Sequence, residues 1–166
     1  YFNPIGDPPY PRAEEYCKIY DKYRAILDKA GAKHGILVQS TMGHIRKPAV
    51  PHKFQDSISL VNGEPRLSTC CPLDKNFRAY MKEQMKILAS HKPSIIMIDD
   101  DIGLIYKNTR GCACPLHMAE FNRRAGTQMT REELYAHTQG NTEQNKKYTD
   151  IYIKMIGDSL VDFVKE

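Results

Sequence analysis

Apolar residues spaced three and four apart predict that much of this chain is helical. Such spacing places one apolar stripe on a helix that can pack against a core. Capping residues mark where several of these helices begin and end: Asp74 and Thr130 can cap helix starts, Pro115 suits a first turn, and Gly126 suits a stop. The pattern predicts helices over residues 13–30, from Asp74 to about residue 92, from Pro115 to about residue 124, from Thr130 onward, and over about residues 142–164.

Two short apolar runs predict strands of a parallel sheet. Residues 35–41 and 94–98 are apolar without alternation and turn polar at their ends, which is typical of strands covered on both faces by helices. Between them, Asn62-Gly63 separates two further short runs and predicts a hairpin. The alternation of helices and strands indicates an α/β fold. Two secure strands are too few for a complete barrel, so we predict that residues 1–166 form a single partial (β/α)8 TIM barrel.

Composition and charge narrow the possible partners. The 166 residues are 41% hydrophobic and 27% charged, which suffices for one domain with a core. The net charge of +4 comes from interspersed signs, so no nucleic-acid interface is expected. The longest apolar run, residues 95–98, is too short to cross a membrane, and no secretory signal is visible. We expect a cytoplasmic protein, and we also expect it to be bacterial.

The ends of the chain suggest a piece of a larger protein. It begins with Tyr1-Phe2-Asn3-Pro4 rather than methionine and stops at Lys165-Glu166, and we expect both to be edges of an excised segment. A partial barrel exposes strand edges and apolar helix faces, so we also expect homo-oligomers through those edges.

Polar residues follow both predicted strands, where parallel folds place reactive groups. Asp99, Asp100 and Asp101 come directly after the second strand. A protonated member could act as a general acid, and ionised members could bind Mg²⁺ or sugar hydroxyls. Alternatively, one carboxylate caps a turn and the others face water. After the first strand, the candidate substrate-binding residues are Gln39, Thr41 and His44.

A second group of residues has the chemistry of a metal site. Cys112, Cys114 and His117 lie within a short loop and the start of a helix, close enough to share one tetrahedral ion. Either Cys70 or Cys71, at the end of the earlier loop, could supply the fourth zinc ligand. Unligated thiols are the alternative. Cys17 is expected to pack as a small hydrophobe.

Together these motifs resemble β-galactosidase-like glycoside hydrolases, family forty-two and its uncharacterised relatives. The resemblance covers about residues 33–137. It rests on residues 96–101, on the Cys-rich run at 111–121, and on two shorter segments at 40–44 and 71–74. In that family a barrel strand ends in the acid/base carboxylate, and the following Cys-rich loop binds a structural zinc in some members together with an earlier cysteine. The resemblance implies a glycoside-hydrolase fragment acting on a galactoside-like carbohydrate, and we predict a zinc site of Cys71, Cys112, Cys114 and His117 that the chemistry does not require.

The chain also departs from this family. Asp residues stand where the family has Asn-Glu, and His117 stands where a third cysteine is usual. The nucleophile that a retaining glycosidase needs would come from a later strand, so we expect the isolated chain to be inactive. Two alternatives stay open: a zinc-stabilised module that binds carbohydrate or serves as a scaffold without catalysis, and a Mg²⁺-dependent phosphatase of the haloacid dehalogenase type, whose nucleophile motif resembles Asp99-x-Asp101.

Overall fold

The computed structural model describes residues 13–39, 41–42, 52–100, 102–105 and 110–166. In chain order the elements are α1 (Ala13–Lys29), β1 (Ile36–Val38), β2 (Asp56–Ile58), β3 (Pro65–Cys70), α2 (Lys75–Ser90), β4 (Ile96–Ile98), α3 (Pro115–Ala125), α4 (Arg131–Gln139) and α5 (Glu143–Lys165). None of the helices in these ranges has an apolar stretch that could cross a bilayer.

The strands form two small sheets, and the predicted partial barrel is wrong. Within the described ranges, β1 pairs only with β4 and β2 pairs only with β3. The β1–β4 pair is parallel, as expected, and aligns Ile36 with Ile96. The β2–β3 pair is the predicted antiparallel hairpin, with Gly63 in its turn at a φ of 74°. A barrel needs a closed ring of parallel strands, whereas here the second sheet is a hairpin within the connection that follows β1.

The predicted helix caps are present, which explains why the helices begin and end where they do. Asp74 accepts hydrogen bonds from the backbone N–H groups of Asn76 and Phe77 at the start of α2. Thr130 and Glu133 form a reciprocal capping box at the start of α4. Gly126 ends α3 in the left-handed conformation.

The larger of two cores packs α3, α4 and α5 against the hairpin and the first half of α2. Phe77 of α2 is fully buried, and its ring lies 5.5 Å from that of Phe54 and 5.4 Å from that of Phe163. Arg78 adds a polar link between α2 and α5, because its guanidinium donates to the carboxylate of Glu166 and to the backbone carbonyl of Asp162. This core surrounds the cysteine-rich loop before α3.

The smaller core joins α1, β1 and the second half of α2. It includes Cys17, which is fully buried as predicted, together with Val38 and Leu88. The apolar stripe of α1 is only partly used, since Ile19 and Tyr23 remain about 60% exposed. Strand β4 is also less buried than its sequence indicates. Met97 is 55% exposed, because the described helices cover only one face of the β1–β4 pair.

Candidate metal centre

Four side chains from separate segments meet in the larger core. Cys71 directly follows β3, Cys112 and Cys114 lie in the loop before α3, and His117 stands in the first turn of α3. An isolated antiparallel bridge between Ser59 and Cys112 connects this loop to the hairpin. The hairpin therefore brings the two cysteine-bearing segments into contact although they are more than 40 residues apart in the chain.

The spacing of the four ligand atoms suits one tetrahedral ion. The Sγ atoms of Cys71 and Cys114 are 3.5 Å apart, and they lie 3.2 Å and 3.6 Å from Nδ1 of His117. All four ligand atoms, including Sγ of Cys112, lie within 4.8 Å of one another. A tetrahedral zinc ion with ordinary bond lengths places its ligand sulfurs about 3.8 Å apart and sulfur about 3.6 Å from nitrogen. The four residues can therefore hold a metal ion.

Burial and mutual contact shift the pKa values of the three thiols. The three cysteines and His117 are all fully buried. Hydrogen bonding with the sulfurs of Cys112 and Cys114, together with burial, raises the pKa of Cys71 above its usual range, and the neighbouring Cys112 raises the pKa of Cys114 to about 12. Burial also acts to raise the pKa of Cys112, but hydrogen bonds from Cys114, Cys71 and His117 outweigh it and lower that pKa. Mutual contact thus shifts the pKa values of the thiols in opposite directions, and a bound cation would stabilise the thiolate form of all three.

Groups outside the four ligands orient them. With Nδ1 of His117 facing the sulfurs, its Nε2 donates to Oγ of Ser159 in α5 at 3.3 Å. The Ser159 hydroxyl in turn donates to the carbonyl of Ile156 at 2.7 Å. On the other side, the backbone N–H of Ile58 lies 3.5 Å from Sγ of Cys112. Such outer contacts are typical of protein metal sites, because they fix the imidazole tautomer and stabilise thiolate charge.

Gly111 allows the cysteine loop to pass close to α5. Its φ is 109°, and a Cβ at this position would lie 2.4 Å from the Tyr152 hydroxyl oxygen. That hydroxyl donates to the carbonyl of Cys112 at 3.1 Å and so holds the loop next to the ligands. A side chain at residue 111 would therefore disturb both the backbone conformation and this hydrogen bond.

We expect the substitution Gly111→Ala to lower the free energy of unfolding by about 1–3 kcal/mol more than Gly126→Ala does. Gly126 is the matched control because it also has positive φ, at 67°, but nothing lies within 4 Å of a Cβ placed there. Urea denaturation of the two variants measures the difference. Equal losses in both variants would show that Tyr152 does not constrain the loop.

Gln39, Thr41, Asp99 and Asp100 follow β1 and β4 and are not among the four clustered ligand residues. Gln39 and Asp99 are half-buried, Asp100 is exposed, and Thr41 is only 3% exposed. The backbone N–H of Asp99 donates to the carbonyl of Val38 at 3.2 Å, which continues the parallel pairing. His44 and Asp101 lie outside the described residues.

The sequence did not point to Ser159, Tyr152 or the N–H of Ile58 as partners of the metal ligands. Ser159 lies 42 residues after His117, and a single serine in an amphipathic helix is an ordinary helix residue. The available signal was its spacing in the sequence, because Ser159 follows the buried residues Met155 and Ile156 of α5 by four and three positions.

In its described parts, the chain consists of five helices and two two-stranded sheets around a buried cluster of three cysteines and one histidine. No family model, curated protein or solved structure matches it.

Proposed function

We propose that this chain is a zinc-binding module in which Cys71, Cys112, Cys114 and His117 hold a structural zinc ion. The observation that carries the proposal is a closed set of four ligand atoms, all fully buried and within 4.8 Å of one another. Catalytic zinc sites usually keep one coordination position open for water or substrate, whereas structural sites fill all four with protein ligands. Burial of all four ligand side chains here supports a structural role.

The donor set favours zinc over the hard cations Mg²⁺ and Ca²⁺. Three thiols and one imidazole are soft and borderline ligands, which suit zinc and do not suit Mg²⁺ or Ca²⁺. The ligands lie on three different segments of the chain: the end of β3, the loop before α3, and α3 itself. Through Ser159 the site further contacts α5. A zinc ion here would tie the hairpin to the helical part of the larger core.

Metal analysis of the purified protein tests this proposal. We expect about one zinc per chain by mass spectrometry of the metal content, and a cobalt-substituted protein with the intense visible absorption of a tetrahedral thiolate site. Thiol titration of the native protein should then find the three ligand cysteines protected. Absence of zinc together with free titration of Cys71, Cys112 and Cys114 would refute the site.

The contact between His117 and Ser159 makes a second prediction. We expect Ser159→Ala to weaken zinc binding by about 10-fold to 100-fold, because loss of an outer hydrogen bond to a metal-binding histidine typically has this effect. Ser159→Thr should restore most of the affinity, since a threonine hydroxyl can also bond the preceding helix turn. Competition with a chromophoric chelator measures both variants, and equal affinities for alanine and wild type would contradict the prediction.

The second candidate function is action on a galactoside-like carbohydrate, as the resemblance to β-galactosidase-like glycoside hydrolases implies. One observation favours it. Parallel pairing of β1 with β4 places the carboxyl ends of both strands at one edge, so that Gln39 and Thr41 follow one strand and Asp99 and Asp100 follow its neighbour. Ligands of parallel sheets bind at this edge, and carboxylate and amide groups suit sugar hydroxyls.

Galactose binding and hydrolysis of an aryl β-galactoside test this second function. We expect calorimetry to detect galactose binding that Asp100→Asn weakens, and any hydrolysis to fall in the same variant. The exposed Asp150 of α5 provides the control Asp150→Asn, which should behave as wild type. Binding and rates unchanged in Asp99→Asn and Asp100→Asn would exclude these carboxylates from the function.

A further inference from the structure

A cavity of about 340 Å³ lies between α2, the end of β4 and the end of α5. Its walls are mainly apolar, from Met81, Met85 and Ala89 of α2, from Ile98 and Ile102, and from Phe163 of α5. It is separate from the metal centre and shares no residue with it. Its volume is at the lower end of the range of about 300–1,000 Å³ seen for small-molecule sites.

One buried polar group lines this cavity. Thr41, just after β1, is 3% exposed, and its hydroxyl has no hydrogen-bond partner within the described part of the chain. Burying a hydroxyl without a partner is unfavourable. A polar atom of a ligand in the cavity would satisfy it, at the strand edge where ligands of parallel sheets bind.

The charged side chains around the cavity are mostly basic. Arg78, Lys82 and Lys86 of α2 contribute three positive charges, and Glu166 contributes one negative charge. Glu166 pairs with Arg78, and its other oxygen lies 3.9 Å from the ammonium of Lys82. The lining residues keep an excess of positive charge, and Lys86 also lies 3.9 Å from the carboxylate of Glu83, which is outside the lining. The carboxylates of Asp99 and Asp100 do not line it.

We propose that this cavity binds a small amphiphilic anion, a molecule with an apolar body and one carboxylate or comparable anionic group. The apolar body would lie against Met81, Met85 and Phe163, and the anionic group would face Lys82 and Lys86. Apolar walls contribute affinity by removing apolar surface from water, and the basic rim selects for negative charge. The mostly apolar lining suits such a molecule better than a sugar.

Calorimetry of the intact, metal-loaded chain with sodium octanoate tests the proposal, with 1-octanol as the uncharged probe. We expect saturable binding of one octanoate per chain, and octanol to bind at least about fivefold more weakly because it lacks the charge-assisted contacts. Lys82→Met, which removes the charge and keeps an apolar side chain, should weaken octanoate binding about threefold.

Two alanines of α2 provide a matched pair of variants. Both are exposed, but only Ala89 lines this cavity. Ala89→Phe should fill the cavity and weaken octanoate binding more than tenfold, whereas Ala79→Phe should leave it within twofold of wild type. Absence of saturable binding, equal effects of the two phenylalanines, or equal affinity for octanol would each overturn the proposal. A wild-type dimer that Ala89→Phe dissociates in light scattering would instead assign the cavity to a second copy of the chain.

Discussion

Cys71→Ala is expected to abolish zinc binding and leave the chain largely unfolded, whereas Cys70→Ala keeps both the metal and the fold. Structural zinc contributes about 10–16 kcal/mol of binding free energy in small zinc domains. Folded domains are stable by only about 5–15 kcal/mol in total. Loss of one of four ligands at a site that joins the hairpin to α3 should therefore exceed what the remaining core can offset.

Cys70 is a closely matched control for Cys71. Cys70 and Cys71 are consecutive and both fully buried, but only Cys71 belongs to the four-ligand cluster. Cys70→Ala should cost about 1 kcal/mol, as ordinary substitutions do. Zinc content and circular dichroism measure both variants, and removal of the metal from wild type by a strong chelator should reproduce the Cys71→Ala spectrum. If Cys71→Ala retained one zinc per chain and its native spectrum, the structural role would be refuted.

Phe121→Ala is expected to lower the free energy of unfolding by about 3–5 kcal/mol, the usual cost of removing a buried aromatic ring. Phe121 of α3 is fully buried. Its ring meets those of Tyr148 and Tyr152 edge to face, at centroid distances of 6.4 Å and 6.3 Å. Because Tyr152 also holds the carbonyl of Cys112, the cavity would lie directly behind the metal-binding loop.

Chemical denaturation of the zinc-loaded protein measures this loss, with Phe121→Leu as the control. Leucine keeps most of the apolar volume, so the loss should stay below about 1.5 kcal/mol. A difference of less than 1 kcal/mol between the two variants would show that the packing of α3 on α5 contributes little to stability.

Local signals in the sequence predicted most of the secondary structure. Asp74, Thr130 and Gly126 end or begin helices where expected, because a cap acts through hydrogen bonds and backbone angles within a few residues. The Asn62-Gly63 turn likewise formed the hairpin it predicted. The buried face of α1 was predicted less well. The apolar stripe of α1 is wider than the surface of this helix that contacts other elements. Which part of a stripe becomes buried depends on the elements that pack against it.

The partial barrel was wrong because strand order is not a local property. Apolar runs at 35–41 and 94–98 predicted two parallel strands, and these pair as expected. The run 56–70 forms a separate antiparallel sheet. Nothing in the period of either run distinguishes a strand of a larger parallel ring from a strand of a two-stranded sheet, since both show the same short apolar pattern.

The residue types at positions 112–117 were enough to predict a metal site, because Cys112, Cys114 and His117 lie within six residues and a loop and one helix turn suffice to bring them together. The tertiary structure brings Cys71 rather than Cys70 into the cluster, as predicted, although spacing alone had left both open; consecutive residues of an extended segment point to opposite sides. It alone also placed Ser159 behind His117, because that contact depends on how α5 packs against α3. The types of the ligand residues can be read directly from the sequence, whereas a contact between distant segments depends on the packing of the whole core.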